Sequence, residues 1–508
     1  MHANNKDMHN GEDQSRPKGT RLVKAVRELD LKRILFIALG ITLFVIVFLS
    51  PDWPDAIDPK GEHFVLSREG KAAVGLFLLA AVWWVFEVIP IGVTGITIGV
   101  IQVLFLIRPA KTAFSDFLDP SVWFIIGSIV IGMSFARTGL TQRMAYRMLL
   151  MVGERTSRIY LGSFIMTALL TLIMAHTAVA AAVFPLLMAI YSLYSEDERP
   201  TKFGKGLFIG MAFVAGAGSI ITLLGAARGA VALGFFRDIT GRDITFFELS
   251  YFMFLIGGVM VPILWGLIMV LFKPEKKTIP GLMKRVTALN ANLGKITKTE
   301  KLTLIIVFAT IITMSLRSFI PGLDQVNKSA IILISTIMFF LFKILTIKDL
   351  EEIPWNIILL FGGAMSIGFC LWQTGAASWM AIQWLTILQD ANWLIFVLGI
   401  AFFVLMMTNL IMNVAAIAIS LPVALVMAPY LGVAPVVILF ASLVTAGMPF
   451  LLLVGAAPNA IAYESKQFTT SQFFVAGIPA SIILMIVLAF FVWIIWPAMG
   501  MPVTVAVP

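Results

Sequence analysis

The chain is poor in charged residues, in histidine and in cysteine. Charged types make up 13% of its 508 residues and apolar types 59%, whereas soluble domains contain about a quarter and about half. Together with a mean hydropathy of +0.96, these values exclude a soluble globule and a disordered chain. Cys370 is the single cysteine, so it forms no internal disulfide and points to no redox compartment.

The signatures of membrane enzymes and channels are also missing. The sequence has no His-Glu-x-x-His, no Gly-x-Ser-x-Gly and no paired Asp within an apolar segment. It shows neither a repeated filter nor the rings of charge that line a pore. The net charge of 37 − 28 = +9 suits the basic loops of a membrane protein better than a nucleic-acid site. We therefore expect neither an enzyme nor a cofactor, and an anion channel is a weak alternative.

Long apolar segments are what the sequence does contain. Two stretches, 159–192 and 393–430, are too long for one crossing, are interrupted by polar residues, and carry Pro185 and Pro422. They are typical of re-entrant hairpins, in which two half-helices meet at a tip inside the membrane. Eleven further segments are long enough to cross about 30 Å of hydrocarbon, at 34–50, 72–88, 91–107, 121–136, 204–235, 251–272, 303–320, 329–345, 355–371, 433–461 and 473–496.

An internal duplication relates the two halves of the chain. Thr138-Gly139 pairs with Thr374-Gly375, Pro185 with Pro422, and Gly225 with Gly455, at offsets of 236, 237 and 230. Each copy holds five crossings and one hairpin, and five is odd, so the second copy is inverted in the membrane. The sequence therefore predicts an all-α polytopic membrane protein with eleven transmembrane helices plus two re-entrant hairpins in an inverted repeat. This architecture is typical of secondary transporters.

The predicted crossings and the charges of the loops also divide the chain into segments and orient it in the membrane. Basic residues cluster before the first crossing, after the fourth, and between Lys273 and Lys301, which places these segments on the cytoplasmic side of the plasma (inner) membrane. The N-terminus is then cytoplasmic and the C-terminus extracytoplasmic. The predicted divisions are a cytoplasmic tail 1–33, a first span and outer loop 34–70, a first repeat 71–272, a basic cytoplasmic linker 273–302 and a second repeat 303–497.

Hairpin tips bring helix ends into the membrane. An ending half-helix presents unpaired carbonyls and a starting one presents unpaired N–H groups, equivalent to about half a charge of each sign. Two such tips, together with the glycine-rich segments at Gly225 and Gly455, would enclose a small anion with cations beside it. Irregular backbone is tolerated at this depth only where it lines a cavity.

Several segments together carry a family resemblance. Residues 83–90 (WWVFEVIP), residues 353–368 (IPWNIILLFGGAMSIG), the two hairpins and residues 455–460 (GAAPNA) resemble the divalent anion/sodium symporter family of dicarboxylate, citrate and sulfate transporters. The resemblance covers residues 70–497. It implies secondary active transport of small divalent anions, sodium as the coupling ion, a homodimer, and a transport domain that moves as an elevator against a scaffold domain.

The resemblance also implies binding residues. In that family each tip carries a triplet similar to Ser-Asn-Thr, preceded by a hydroxyl residue. The implied substrate-binding residues are Thr177, His176, Asn413, Val414, Pro458 and Arg228. The implied sodium-binding residues are Thr171, Gly225, Thr408, Asn413 and Ala456.

This sequence departs from the family pattern mainly in its first half. The tips read Ala-His-Thr at 175–177 and Met-Asn-Val at 412–414, so both serines are gone. His176 is either a hydrogen-bonded imidazole that shapes the tip, or an anion ligand or proton carrier. Arg228 either extends to a membrane face or is a fixed cation for the substrate.

Charge arithmetic defines the alternative mechanism. Bringing a dianion into a cell at −100 mV costs about 4.6 kcal/mol, since each charge costs about 2.3 kcal/mol. Sodium symport offsets this cost when enough cations enter with the anion. The alternative is a sodium-independent or proton-coupled anion exchanger in which His176 and Arg228 replace one sodium site.

Overall fold

A computed structural model describes residues 31–57, 63–195, 199–323, 325–388, 392–410 and 412–506. The predicted N-terminal tail therefore lies outside the described residues as far as residue 30. Helices account for nearly all regular structure in these ranges. The exceptions are the two-residue strands Ala56–Ile57 and His63–Phe64, which pair antiparallel in the loop after the first helix, and two isolated bridges.

The described residues of the first half form eleven α-helices. They are Leu31–Leu49, Arg68–Val85, Ile91–Leu104, Ala110–Ser115, Pro120–Thr138, Leu140–Val152, Thr156–Thr171, His176–Tyr194, Lys202–Gly218, Ala227–Thr240 and Phe246–Leu271. A linker helix, Leu282–Asn292, then leads into the second half.

The second half repeats this order of elements. Its helices are Lys298–Leu316, Lys328–Leu341, Ile347–Glu351, Trp355–Gln373, Ala376–Leu388, Trp393–Leu410, Asn413–Met427, Pro435–Gly447, Ala457–Tyr463, Thr470–Phe490 and Trp496–Ala498. Within the described residues, eight helices are long and apolar enough to cross a membrane, and four shorter apolar helices accompany them. The predicted all-α polytopic class is confirmed.

The duplication is visible in backbone details. Leu106 and Lys343, 237 positions apart, both adopt positive φ values, 55° and 56°. Gly139 and Gly375 end equivalent helices in the left-handed region, at φ 79° and 75°. A non-glycine residue in this region is uncommon, so its recurrence at one offset indicates that both halves use the same turn.

Each predicted membrane segment coincides with helix, with two refinements. The windows 204–235 and 433–461 each contain two helices separated by irregular backbone, which we call the first break (residues 219–226) and the second break (residues 448–456). The predicted hairpins correspond to the helix pairs Thr156–Thr171 with His176–Tyr194 and Trp393–Leu410 with Asn413–Met427. The basic linker also contains a helix that its polar composition did not suggest.

A close backbone contact between the halves joins helices Ile91–Leu104 and Trp355–Gln373. A Cβ atom built on Gly363 would lie 2.3 Å from the Gly95 Cα atom, and one on Gly92 would lie 2.4 Å from the Asn356 carbonyl oxygen. The Gly92 N–H also donates to Asn356 Oδ1 at 2.9 Å. Glycine is required here because the backbones touch with no side chains between them.

Ion pairs hold the segments predicted to share the cytoplasmic side. Arg143 pairs with Glu300 at 3.0 Å, and Arg137 pairs with Asp349 and, at 2.8 Å, with Glu352. The Thr156 hydroxyl donates to the Lys276 carbonyl at 2.9 Å. These contacts agree with the placement of residues 137–158, 273–301 and the loop at 342–354 at one end of the molecule.

Candidate functional site

A cavity of about 340 Å³ lies where the two hairpin tips and the two breaks meet. The first tip supplies residues 175–178 and the second tip residues 412–414. The first break and the helix after it supply Leu223, Ala226 and Ala227, and the second break supplies Ala456, followed by Ala457. Four elements remote in sequence therefore converge on one volume. Other lining residues are Ile125, Ser128, Ile129, Met133, Ala181, Glu352, Pro354, Ile357 and Phe361.

The first tip is tied to the first break through His176. Its backbone N–H donates to the Gly225 carbonyl at 2.9 Å, and its ring Nδ1 lies 3.2 Å from the same oxygen. A carbonyl only accepts, so Nδ1 carries the proton in this contact. The imidazole is therefore hydrogen-bonded, as the first interpretation expects, and His176 also lines the cavity.

The first break is held by hydroxyl groups as well. Thr222 donates to the Leu172 carbonyl at 2.8 Å, and Ser128, from helix Pro120–Thr138, donates to the Leu224 carbonyl at 3.0 Å. A Cβ atom on Gly225 would lie 2.5 Å from the Ser219 carbonyl oxygen. The break is thus a packed turn in which glycine is needed for close approach.

The second break is held by two neutral amides. Asn409 Oδ1 accepts from the Leu451 and Leu452 N–H groups at 2.8 and 3.2 Å. Asn459 Nδ2 donates to the Pro449 and Leu452 carbonyls at 2.8 and 3.1 Å. Gly455 here matches Gly225, because a Cβ atom on it would lie 2.8 Å from the Thr408 carbonyl oxygen.

Arg228 lies behind the cavity wall. It is 1% exposed, its Nη2 donates to Ser219 Oγ at 2.7 Å, and it lines a separate cavity of about 10 Å³. Ala226 lines both cavities. The sequence left two positions open for Arg228. A position at a membrane face is wrong, because the guanidinium is buried. Arg228 does not line the larger cavity either.

The structure brings together about half of the residues expected from sequence. His176, Thr177, Asn413, Val414 and Ala456 line the larger cavity. The remaining expected residues, Thr171, Gly225, Thr408, Pro458 and Arg228, are buried around it. Thr171 Oγ1 donates to the Ala168 carbonyl at 2.6 Å and Thr408 Oγ1 to the Ala446 carbonyl at 3.3 Å.

Sequence reasoning missed several residues of the site. Asn409 was not singled out, although it is a polar residue beside the second tip in apolar surroundings. Ser128 lies inside the duplicated block that begins at 124, which was the available signal. Glu352 also lines the cavity; its side chain is 61% exposed and pairs with Arg137, so its negative charge is offset.

Comparison with known proteins agrees with this geometry. Residues 32–502 match the family model described as the sodium:sulfate symporter transmembrane region. The sodium-dependent dicarboxylate transporter SdcS of Staphylococcus saprophyticus is 24% identical over 96% of both chains. The protein of the same name from Staphylococcus aureus (strain bovine RF122 / ET3-1) is 25% identical over 85% of this chain and 87% of its own.

A solved transporter shares the fold. MtrF of Neisseria gonorrhoeae, from a class of antimetabolite efflux pumps, superposes with a TM-score of 0.57 at 13% identity, covering 96% of this chain and 100% of its own. At this identity the likeness concerns the fold alone. Because the family model spans residues 32–502, nearly the whole chain, this protein belongs to the sodium:sulfate symporter family.

Proposed function

We propose that the protein is a sodium-coupled secondary transporter of small dicarboxylates. The observation that carries the proposal is the convergence of both hairpin tips and both breaks on one cavity of about 340 Å³. Half-helix ends at such a place offer N–H groups to an anion and carbonyls to a cation. The names of the Staphylococcus relatives support dicarboxylates and sodium, and Thr177 and Asn413 supply polar side chains for the anion.

An exposed residue at one end of the cavity supports a transport cycle. Glu352 lines the cavity and pairs with Arg137, and both belong to the side that the basic segments mark as cytoplasmic. These contacts support an inward-facing state, and the family resemblance supports a homodimeric, elevator-type carrier in the plasma (inner) membrane. Its N-terminus would be cytoplasmic and its C-terminus extracytoplasmic.

Uptake into proteoliposomes tests the proposal. Radiolabelled succinate should accumulate under an inward sodium gradient and not under an equal potassium gradient. Sulfate, added as a competitor, reports whether oxyanions share the site. Succinate that never enters, or uptake that is unsaturable, would contradict a carrier for dicarboxylates.

A second candidate, anion exchange, is favoured by a specific observation. The Gly225 carbonyl already receives hydrogen bonds from His176, so it is less available to a cation. Counterflow distinguishes the two: internal succinate should accelerate uptake without a sodium gradient if exchange operates. Uptake that depends strictly on the sodium gradient, with no acceleration, would reject exchange.

A further inference from the structure

The buried lysine and arginine side chains of the described residues differ in whether a carboxylate lies close to them. There are six of them, and five have a carboxylate oxygen at 2.7 to 3.7 Å, from Asp52, Asp116, Glu300 or Asp243. The sixth is Arg228, which lies within ion-pairing distance of no carboxylate in the part of the chain that the structure describes. The five paired side chains are Lys71, Arg108, Arg143, Arg317 and Lys328.

The Arg228 guanidinium is also incompletely hydrogen-bonded. Nη2 donates to Ser219 Oγ, but Nη1 is buried without a partner among the described residues. The cavity of about 10 Å³ beside it is the size of about one water molecule. An isolated buried charge is costly, and a guanidinium keeps its proton at physiological pH. A buried charge of this kind inside a membrane protein is a candidate functional residue.

The duplication shows that the charge is not needed to build the break. Counting by the offset of 230, Arg228 corresponds to Pro458, and Gly229 corresponds to Asn459. The second break is held by the neutral Asn459 amide. A neutral residue therefore suffices for this turn, and the positive charge at Arg228 calls for another explanation.

We propose that Arg228 is a fixed positive charge behind the cavity wall, which attracts a divalent anion without touching it. This inference rests on the proposed function. The wall is thin, since Ala226 lines both the larger cavity and the small cavity at Arg228. In a low-dielectric interior a charge acts through such a wall with little screening.

The consequence concerns coupling. A dianion beside one fixed cation leaves a net charge of −1, so a single sodium ion makes the loaded site neutral. The empty site keeps an unbalanced positive charge and is the less favourable form to move through the membrane. Arg228 is therefore a positioning residue that favours divalent over monovalent anions and loaded over empty translocation.

Valence selectivity provides the test. Coulomb energy is proportional to the charge of the ligand. Removing Arg228 should therefore lower the affinity for a dianion by about the square of the factor by which it lowers the affinity for a monoanion of the same shape. We would measure binding of succinate and its monoamide to purified protein by calorimetry in gluconate buffer. For Arg228→Met we expect the affinity to fall about tenfold for the monoamide and about a hundredfold for succinate.

Stability and matched variants separate this role from a structural one. Replacing an unpaired buried charge by an apolar side chain should leave the Tm of Arg228→Met equal to or above that of the wild type. Arg228→Lys keeps the charge and Ser219→Ala keeps the arginine, so both should retain the preference for succinate. Arg228→Gln is a second neutral variant in case the methionine variant fails to fold.

Two outcomes would overturn the inference. One is an equal loss of affinity for succinate and for its monoamide in both neutral variants, which would indicate a structural effect. The other is a preference for succinate that survives removal of the charge. Wild-type protein that binds neither ligand would instead contradict the proposed function, so the two failures are distinguishable.

Discussion

The two breaks end in the same way, with the Gly225 and Gly455 N–H groups bonded to the carbonyls three residues earlier, but they are stabilised by different chemistry. At the first, an imidazole and a guanidinium occupy the polar positions, and His176 covers the Gly225 carbonyl. At the second, the amides of Asn409 and Asn459 hold the turn, and the Gly455 carbonyl accepts no hydrogen bond from the described residues. The first half thus carries positive charge of its own, whereas the second leaves carbonyl oxygen for an added cation.

The glycines of the two breaks should give the largest effects. Gly225→Ala and Gly455→Ala each place a methyl group against backbone, because the built Cβ atoms lie 2.5 Å from the Ser219 carbonyl oxygen and 2.8 Å from the Thr408 carbonyl oxygen. We expect succinate uptake to fall by about a hundredfold, since small displacements at a site have effects of that size. Uptake by purified protein in liposomes measures this.

A matched glycine serves as the control. Gly229 lies in the helix after the first break, and its built Cβ would meet only the end of the Leu223 side chain at 3.2 Å. Gly229→Ala should retain most of the uptake. Equal loss in all three variants would indicate that the close approach at the breaks is not what matters.

The amide at the second break should contribute the next largest effect, on stability. Asn409→Ala removes the acceptor of two backbone N–H groups, at Leu451 and Leu452. Leaving them unsatisfied should lower the free energy of unfolding by about 2 kcal/mol, measured as a lower apparent Tm. Asn409→Asp is the control at acidic pH, where a protonated carboxyl keeps the acceptor oxygen and can donate to the Leu405 carbonyl, as the Asn409 amide does at 2.7 Å. A Tm as low as that of the alanine variant under these conditions would contradict the account.

An exchange of tip residues tests the comparison directly. His176→Asn frees the Gly225 carbonyl from the ring contact, so the half-saturating sodium concentration should fall by about fivefold, the equivalent of one hydrogen bond. The reciprocal variant, Asn413→His, should raise it. The sodium activation curve of succinate uptake is the measurement, and shifts in the same direction would show that the tips do not differ in this way.

The smallest expected effect is on the pH dependence of stability, and it involves Glu275 at the end of the first hairpin. Burial alone would raise the pKa of the Glu275 carboxyl, but hydrogen bonds from the Lys202 N–H, at 2.5 Å, and the Tyr194 hydroxyl, at 2.8 Å, hold it below its ordinary value. The unfolded chain then binds the proton more readily than the folded one. This contribution to stability is complete above the ordinary pKa of 4.5 and is lost as pH falls through the folded value.

The matching variant is Glu275→Gln. It should lower the apparent Tm by a few degrees at pH 7, and by less at pH 4, because the wild type loses its own advantage there. A Tm difference that is constant between these values would contradict a contribution from the ionised carboxylate.

Much of this architecture is predictable from sequence, because the duplication restricts it strongly. The offsets of 236 and 237 that pair the tips also imply a helix near 376 to match Leu140–Val152, and Ala376–Leu388 is present. The convergence of both tips was expected from the predicted inversion of the second repeat. The linker helix Leu282–Asn292 has too little apolar surface to be recognised by hydropathy.

The direction of individual side chains was not predictable. Arg228 begins a helix at a break, and its orientation depends on the rotation of that helix about its axis, which no periodicity in the short segment fixes. Its place behind the wall and beside Ser219 therefore needed the structure. The same applies to Asn409, which precedes the second tip but contacts the second break.

The glycine contact at Gly95 and Gly363 has a consequence for biosynthesis. Its two helices come from different halves, and Gly92 and Asn356 are 264 residues apart. At about 5 to 20 residues per second, the ribosome needs about 13 to 53 s to add that length. During this interval helix Ile91–Leu104 lies in the membrane without its partner helix against its glycine face. The amino-terminal half therefore completes its assembly only after the carboxy-terminal half has been inserted.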